Sequence, residues 1–175
     1  MSCTQTLSGI ARDCANSLGG IVEVYIANHD DVTAVTKTTG KVTAITMATS
    51  AKFKKYQFRP GICSMTSTGQ VNKENGTNYV QTLLDLVFNR METAKRIEVM
   101  ALVQADAAVI VKDANGLYWY LGETEPVTIN AYDGATGAAR ADRNGYHLVL
   151  EDNNPELPAE ILTGTGGVDI DSIVD

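Results

Sequence analysis

Paired carboxylates are the first groups in this sequence that could do chemistry. Glu123 and Glu125 lie two residues apart beside Pro126, and two carboxylates can serve as general acid and base. The segment 152–156 offers oxygen ligands of the kind that calcium prefers, but it lacks the alternating ligands and the central glycine of an EF-hand loop. We interpret the glutamates as an acidic loop after a strand, and the segment as a weak surface ion site at most.

Phosphate binding and nucleophilic catalysis would need spacings that this chain lacks. The stretch Gly164–Gly167 is rich in glycine like a phosphate-binding loop, but no Lys-Ser or Lys-Thr pair follows it. It is typical of a flexible linker before an apolar end. No serine lies in a Gly-x-Ser-x-Gly elbow, and only two histidines are available as a base. We therefore expect no enzymatic activity, no catalytic residues and no cofactor.

The cysteines and histidines do not form a metal-binding pattern. Cys3, Cys14 and Cys63 are odd in number and contain no Cys-x-x-Cys pair, which argues against both a disulfide framework and a zinc site. His29 and His147 are too far apart in sequence to complete one. We expect reduced, partly buried thiols and no bound metal.

The segment Leu117–Leu121 is the most aromatic of the chain. Strand alternation would place Tyr118 and Tyr120 on one face, and Leu117, Trp119 and Leu121 on the other. Such a face could stack on bases or sugars. Because no basic groove accompanies it, we favour a core position for the tryptophan and an interface or surface position for the tyrosines.

The net charge of −7 is unevenly distributed along the chain. All 14 Lys and Arg residues precede residue 151, and the residues before that position sum to zero. The remaining acidic residues follow without any basic partner in sequence: Glu151, Asp152, Glu156, Glu160, Asp169, Asp171 and Asp175. A nucleic-acid-binding protein would need a basic face. The pattern instead predicts a solvated acidic terminus, or an acidic surface that repels DNA or docks on a basic neighbour.

Three Asn-Gly pairs predict the β-hairpins that organise the chain. They are Asn75-Gly76, Asn115-Gly116 and Asn144-Gly145, and the last two belong to Asp-x-Asn-Gly motifs that begin at Asp113 and Asp142. Asn-Gly favours tight primed turns, in which the central residues need positive φ. The first pair predicts a long hairpin of 62–72 with 78–88, and the other two predict hairpins within 107–150.

The rest of the pattern predicts further strands and one well-defined helix. Strands are expected at 21–26, 42–47 and 52–59, a loop or edge at 28–40, and a short helix around 7–14. The segment 91–104 predicts a helix whose buried stripe contains Ala94, Ile97, Ala101 and Gln104, while Glu92, Lys95 and Glu98 face outward.

The length of 175 residues predicts one domain with a proper core. The first residues have neither a basic nor an apolar region, and no apolar run reaches the roughly 18 residues of a membrane helix. We therefore expect a chain made in the cytosol without a signal peptide and without membrane insertion.

Several of these segments together resemble the tail tube proteins of tailed bacteriophages and the related tubes of contractile injection machines. Gly19–Asn28 resembles the opening strand of tail proteins from phages of gut bacteria, and a polar hairpin across Asn75-Gly76 precedes a helix. Asp113–Glu123 resembles the aspartate–x–asparagine–glycine–x–aromatic–x–x–leucine–glycine strand pair of such proteins. Segment 136–150 resembles their closing strands, so that the resemblance covers most of 1–162.

The fold that this resemblance implies is mainly β with one flanking helix. It is a β-sandwich or small barrel of the tail-tube type, with a long hairpin and extended terminal arms. The expected parts are an N-terminal arm (1–19), a tube domain (20–162) and an acidic, Gly-rich C-terminal arm (163–175) without a counterpart in the family. The concentration of acid at the C-terminus departs from the family, which leaves open whether the tail or the sheet would line the channel.

The function that the resemblance implies is that of a structural virion protein. Six copies would form a ring, rings would stack into a tail tube, and the genome would pass through the central channel without specific binding. The expected partners are further copies of the chain, other tail proteins and the passing DNA. The expected location is the virion tail, assembled in the host cytoplasm.

Nine residues are expected at the interfaces between subunits, and two alternative functions remain open. The interface residues are Leu7, Ile10, Tyr79, Val80, Tyr118, Tyr120, Ile170, Ile173 and Val174. One alternative is a head–tail connector, tail terminator or capsid decoration protein. The other is a carbohydrate-binding β-sandwich that would use Tyr118, Tyr120 and Tyr132.

Overall fold

The computed structural model describes residues 7–175 as a mainly β chain with two helices. The strands are β1 (Ile21–Asn28), β2 (Val32–Thr38), β3 (Lys41–Met47), β4 (Lys54–Gln57), β5 (Ser64–Asn72), β6 (Thr77–Asn89), β7 (Ala107–Asp113), β8 (Tyr118–Leu121), β9 (Thr128–Ala135), β10 (Gly145–Asn154) and β11 (Ala159–Ile161). The helices are α1 (Thr93–Val103) and α2 (Ile170–Ile173), and a 3-10 turn spans His29–Asp31.

These strands form two sheets. The seven-stranded sheet has the order β2-β3-β11-β8-β7-β1-β4, and the four-stranded sheet has the order β5-β6-β10-β9. Neighbouring strands pair antiparallel, except that β11 pairs parallel with β3. The coarse prediction of a mainly β chain with a flanking helix is confirmed.

The central strands of the seven-stranded sheet are apolar on both faces. In β7 the five residues Ala107–Val111 are all buried, and Ile110 and Val111, which point to opposite faces, are both 0% exposed. A strand that is buried on both faces needs such a run of Ala, Val and Ile without alternating polar residues. Each face of this sheet must therefore be covered by another part of the chain.

The four-stranded sheet covers the first face. Alternate residues of β1 and β7, such as Val24 and Val109, pack against Leu84 and Leu86 of β6 and Leu148 of β10. Val99 and Leu102 of α1 complete this core. The two sheets thus form a sandwich that is flanked by the helix.

The C-terminal segment covers the second face. Val168 and Ile170 are buried there beside Tyr25, Ile110 and Phe53, and Ile173 and Val174 pack against this cluster. The Phe53 N–H donates to the Ile173 carbonyl, and the Asp175 N–H donates to the Phe53 carbonyl, each at 2.9 Å. The apolar residues of the predicted C-terminal arm therefore pack on their own chain.

The acidic C-terminal residues pair with lysines of the seven-stranded sheet. Lys41 Nζ lies 2.7 Å from a Glu160 oxygen, Lys54 contacts Asp175, and Lys37 lies 3.8 Å from Glu156. The expectation of a solvated acidic terminus is corrected for Glu151, Asp152 and Glu160, which lie in β10 and β11. The other acidic residues of the terminus are exposed: Glu156, Asp169, Asp171 and Asp175. The basic neighbour on which the acid docks belongs to the same chain.

Two predicted hairpins are present, but their turns are not primed. β5 and β6 pair across 73–76, and β7 and β8 pair across 114–117. In the second turn, only Gly116 has positive φ (83°), and the Asp113 carboxylate accepts the N–H groups of Asn115 and Leu117. The aspartate of the motif thus holds the turn through its side chain, and asparagine keeps ordinary φ.

The third Asn-Gly pair does not form a tight turn. Asn144 ends a long loop after β9, where its side-chain oxygen accepts the Met91 N–H at 3.0 Å and its carbonyl accepts the Arg90 N–H at 2.6 Å. Gly145 begins β10 with φ 154°, so close to Phe88 that a Cβ would lie 1.9 Å from the Phe88 oxygen. Close backbone approach, not turn geometry, explains this glycine.

Helix α1 is confirmed, but its predicted buried face is wrong. Val99 and Leu102 are buried, whereas the predicted stripe is exposed, with Ile97 59% exposed. The orientation follows from the packing of Val99 and Leu102 in the core between the two sheets, and two side-chain contacts accompany it. Lys95 Nζ donates to the Asn89 carbonyl, and Tyr56 donates its hydroxyl proton to Glu98. Both apolar stripes fit helical periodicity, so periodicity alone could not choose between them.

The described part of the N-terminal arm is not helical. Residues 7–14 have no regular secondary structure, and every side chain from Leu7 to Leu18 is exposed. Cys3 lies outside the described residues, while Cys14 is exposed and Cys63 is buried. Without packing partners, a helix of this length is marginal in water.

Replacing Gly145 by alanine should destabilise the fold by about 2–4 kcal/mol, because the new methyl group collides with the backbone of Phe88. Chemical unfolding monitored by tryptophan fluorescence measures the change. Gly69→Ala is the matched control, since no heavy atom lies within 4 Å of its Cβ position. Equal effects of the two substitutions would contradict the close approach at Gly145.

Candidate self-assembly surface

The outer face of the four-stranded sheet is a continuous surface built by neighbouring strands. In β6, Val80, Thr82, Leu84 and Leu86 are buried against the sandwich core. The alternating set is directed to the other face and is half-buried: Gln81, Leu83, Asp85 and Val87. Leu83 and Val87 belong to neither core cluster, so no other element among residues 7–175 packs a core on this face.

The strands of this sheet carry only acidic charge apart from one histidine, although Arg143, in the loop before β10, pairs with Asp133 on the outer face. The sequences of β5, β6, β9 and β10 contain no Lys or Arg. They contain Asp85, Asp133, Glu151 and Asp152, of which the first three lie on the outer face. A surface of this composition does not attract phosphate groups.

Cross-strand hydrogen bonds hold the acidic groups of the outer face in place. His147 Nε2 lies 2.7 Å from Asp85 Oδ1, and its Nδ1 lies 4.0 Å from Asp133 Oδ2. Gln81 donates to Glu151 at 2.8 Å and Asn153 donates to it at 2.9 Å. These two hydrogen bonds lower the pKa of Glu151, so this carboxylate is charged at neutral pH.

Both edges of the four-stranded sheet are open. β5 has nine residues without any charge or proline, and β9 has eight residues with Asp133 as its single charge. β9 contains a bulge at Asn130 but pairs regularly from Ala131 to Ala135. Proteins normally protect long open edges with charges, prolines or covering segments, because such edges pair with other strands.

The edges of the seven-stranded sheet show that protection. β4 has only four residues, and two of them are Lys54 and Lys55. β2 carries Lys37 and two register shifts in its pairing with β3. The four edges therefore differ in degree: β5 has no charge, proline or register shift, β9 has one charge and one bulge, and β2 and β4 are protected more strongly.

Glu23 has the most strongly perturbed carboxylate among residues 7–175, but it lies in a closed ion-pair network. Its Oε1 accepts from Lys55 and Gln57, and its Oε2 accepts from Tyr25 and Lys112. Burial raises the pKa of Glu23, but these donors outweigh burial and bring it to about 2. Since both oxygens are occupied by the protein itself, this is a structural network.

Asp152 is also structural. It is 3% exposed, and its Oδ1 accepts the Gly122 N–H and the Asn154 side-chain amide. Burial raises the pKa of this carboxyl. Asp152 is therefore not free to act as the first ligand of a calcium ion at 152–156. No cluster of three metal-ligating side chains occurs among the residues described.

Glu123 pairs with Lys37, and both residues line a cavity of about 390 Å³.

The residues predicted for subunit interfaces fall into three environments. Leu7, Ile10 and Tyr79 are exposed. Tyr118, Ile173 and Val174 are half-buried against the second core, which is the apolar cluster between the seven-stranded sheet and the C-terminal segment. Val80, Tyr120 and Ile170 are buried inside the chain, so they have little surface left for a neighbouring subunit.

The prediction that Tyr120 lies at the surface or at an interface is wrong. It is 3% exposed and belongs to the second core, because β8 lies inside a sheet that is covered on both faces. Burial raises its pKa to about 12, with Glu123 and Asp152 adding to the effect. Tyr132 lies on β9 of the other sheet, so the three tyrosines of the carbohydrate hypothesis do not form one platform.

Sequence reasoning missed the open edges and the acidic outer face. One signal was available, since the two arms of the hairpin predicted across Asn75-Gly76 contain no Lys or Arg. Glu151 and Asp152 belong to a strand of this sheet and not to a terminal tail. This assignment depends on the pairing of β10 with β6 and β9, which the sequence does not show.

Comparisons of the chain with protein-family models, curated proteins and solved structures found no match. Among residues 7–175, no helix has the length and apolar character needed to cross a membrane.

The stability contributed by Glu23 should disappear in acid. Its folded pKa of about 2 lies below the ordinary 4.5, so its contribution is complete above pH 4.5 and is lost as pH falls toward 2. At pH 7, Glu23→Gln should lose up to about 3 kcal/mol, since one pKa unit corresponds to about 1.4 kcal/mol. Urea unfolding between pH 7 and 2 measures the difference.

The exposed Glu74, in the turn between β5 and β6, supplies the control for this experiment. Glu74→Gln should leave stability unchanged at every pH. A gap between wild type and Glu23→Gln that stays constant from pH 7 to 2 would show that Glu23 is not held ionised by its network.

Proposed function

We propose that this chain is a structural virion protein, the subunit of a phage tail tube that assembles into stacked six-membered rings. The observation that carries the proposal is the four-stranded sheet, which has two unpaired edge strands among residues 7–175 and whose strands contain acidic residues but no Lys or Arg. On its outer face, Asp133 pairs with Arg143 from the loop before β10, and Asp85 and Glu151 have no Lys or Arg partner among these residues. The number of subunits rests on the family resemblance of Gly19–Asn28, Asp113–Glu123 and the neighbouring segments.

Strand directions support a ring in which β5 of one copy pairs with β9 of the next. All three pairings within the sheet are antiparallel, so its two edge strands run in opposite directions. Copies related by rotation about a channel axis keep the direction of each strand relative to that axis. The pairing between copies is then antiparallel as well, and the sheet continues without a change of pattern.

Such an interface joins two different surfaces of the same chain. A head-to-tail contact of this kind repeats until it closes into a ring or continues as a helical filament. Closing the ring removes every open edge of the four-stranded sheet, which removes the hazard of uncontrolled edge pairing. Pairing through main-chain hydrogen bonds is an established form of protein recognition.

The charge of the outer face suits a channel for DNA. In the proposed ring this face lines the lumen, with Asp85, Asp133 and Glu151 repeated in every copy. Carboxylates cannot replace the counterions that surround the phosphates of DNA, so DNA passes such a surface without adhering. The ion pairs of the C-terminal segment, such as Lys41–Glu160, lie on the other sheet and remain outside the lumen.

A head–tail connector or tail terminator is the second candidate function. Pairing of the same edge strands would also form the single ring of such a protein. The two functions differ in stacking, because terminators stop at one ring and tube subunits polymerise. Electron microscopy of the purified protein separates them. Stacked tubes support the tube subunit, single rings support the connector or terminator, and a chain that stays monomeric at high concentration contradicts both.

Thiol crosslinking between β5 and β9 tests the ring interface. In a chain with Cys3 and Cys14 replaced by serine, Thr66→Cys and Ala131→Cys place one thiol near each open edge. A flexible bifunctional crosslinker should then give a ladder of oligomers that ends at the ring number, which we expect to be six. Denaturing electrophoresis reads the ladder.

The matched control combines Thr66→Cys with Thr36→Cys on β2, an exposed position on the protected edge of the other sheet. This pair should give no ladder. The edge model is contradicted if both pairs crosslink equally, or if the Thr66 and Ala131 pair stays monomeric while electron microscopy shows rings.

Lysines on the outer face of β10 should convert the proposed lumen into a DNA-binding surface. We expect the assembled Val149→Lys, Asn153→Lys double variant to retain linear DNA in a filter-binding assay, with retention falling steeply as salt increases. The control is Thr36→Lys with Thr38→Lys on β2, which adds the same charge to the other sheet. Equal retention by the two variants would argue against an outer face that lines the channel.

A further inference from the structure

Three Asn-Gly pairs offer the same covalent chemistry, and the structure holds each of them differently. The main-chain nitrogen of a glycine can attack the side-chain amide of the asparagine before it, because glycine has no Cβ to block the approach. The pairs are Asn75-Gly76, Asn115-Gly116 and Asn144-Gly145. Since the reacting residues are identical, their contacts in the folded chain decide which pair reacts.

The pair at Asn115 is held by hydrogen bonds on both reacting groups. The Asn115 side-chain oxygen accepts the Leu18 N–H at 2.8 Å, and its amide nitrogen donates to the Leu18 carbonyl at 2.9 Å. The Gly116 N–H donates to the Asp113 carbonyl at 3.1 Å. Reaction at this pair therefore requires that the turn first opens.

The pair at Asn144 is held by the burial of its glycine. Gly145 is buried at the start of β10, where it pairs with Asn89 of β6. The Asn144 side-chain oxygen accepts the Met91 N–H at 3.0 Å. A Cβ on Gly145 would lie 1.9 Å from the Phe88 oxygen, so this strand end has little room for a group added to the glycine. This pair must also open before it reacts.

The pair at Asn75 has neither restraint. Asn75 and Gly76 are both exposed in the turn between β5 and β6. Among residues 7–175, no group accepts a hydrogen bond from the Gly76 N–H or from the Asn75 amide nitrogen. No heavy atom lies within 4 Å of the Cβ position of Gly76. Water and dissolved bases therefore reach both reacting groups.

Thr77 holds the Asn75 side chain in position for the reaction. Asn75 Oδ1 accepts the Thr77 N–H at 3.1 Å and also accepts the Thr77 hydroxyl. A hydrogen bond to the N–H two residues ahead folds the asparagine side chain back over the Gly76 peptide. The oxygen that becomes negative when Asn75 Cγ is attacked thus already faces two donors, and such donors stabilise an oxyanion.

We propose that Asn75 is a modification site, at which the chain converts its own asparagine into aspartate and isoaspartate. The Gly76 nitrogen gives its proton to a solvent base and forms a bond to Asn75 Cγ. The side-chain nitrogen takes up a proton and leaves as ammonia, which closes a five-membered imide. Water then opens the imide at the side-chain carbonyl to give aspartate, or at the main-chain carbonyl to give isoaspartate. The reaction consumes one water and needs no oxidant, reductant or second protein.

The conversion changes the tip of the hairpin formed by β5 and β6. Either product adds one negative charge beside Glu74 and takes the formal net charge of the chain from −7 to −8. Isoaspartate also lengthens the main chain by one carbon, within the turn and outside the last strand pair, Asn72 with Thr77. The strands therefore keep their pairing, and the charge accumulates with the age of the molecule. The reaction takes place within one chain, so its outcome is independent of the proposed assembly.

Mass spectrometry of the folded full-length chain tests the site. After incubation in mildly alkaline buffer, trypsin separates the three pairs, because Lys or Arg residues lie between them in the sequence. The peptide that contains Asn75 should gain about 1 Da and elute as two products of equal mass. It should convert at least about tenfold faster than the peptides with Asn115 and Asn144, which must open first. Equal rates at the three pairs, or a faster rate at either of the other two, overturn the inference.

Unfolding supplies the control for effects of the local sequence. In concentrated urea the restraints on Asn115 and Asn144 are gone, so the three pairs should convert at similar rates. A zero-time sample corrects for conversion during digestion. If the same differences in rate persist in urea, neighbouring residues and not the fold set them, and the inference fails.

Thr77→Val tests the part played by the hydroxyl. Valine keeps the main-chain N–H and the β-branched shape but removes the second donor to Asn75 Oδ1. Conversion at Asn75 should slow at least about twofold in the folded chain and stay unchanged in urea. Thr68→Val, at an exposed position of β5, is the matched control and should change neither rate. An unchanged rate in folded Thr77→Val overturns the role assigned to Thr77.

Discussion

The burial of β1 and β7 on both faces is the constraint on which the rest of this structure depends. A strand such as Ala107–Asp113, with successive apolar side chains on opposite faces, is stable only if two separate layers cover it. The four-stranded sheet provides one layer and the segment that contains Val168 and Ile170 provides the other. The order of the chain follows from this need, since its last residues must return to the second face after both sheets are complete.

Because the two layers that cover β1 and β7 use much of the chain, few surfaces remain for contact with other molecules. The seven-stranded sheet is covered on both faces and protected at both edges, and its lysines bind the acidic residues of the C-terminal segment. The four-stranded sheet keeps one uncovered face and two open edges. The surfaces that the proposed assembly uses are therefore those that folding does not consume.

Much of the local structure could be predicted from the sequence. The hairpins around 73–76 and 114–117, the strand from Ile21 and the helix from Thr93 all follow from glycine positions, β-branched runs and periodicity, which act over a few residues. The predictions that failed required knowledge of a distant partner. Gly145 is fixed by the backbone of Phe88, and the buried face of α1 is fixed by the packing of Val99 and Leu102 against the core of the two sheets.

The sequence by itself determined that the chain is mainly β, that one helix interrupts the strands, and that its net negative charge lies in its last part. Only the tertiary structure decided which acidic residues belong to a sheet and which pair with lysines, because strand pairing joins residues such as Glu151 and Gln81 that are far apart in the chain. It also decided which edges stay open. An edge exists only once the order of strands is complete, and no local pattern of residues contains that order.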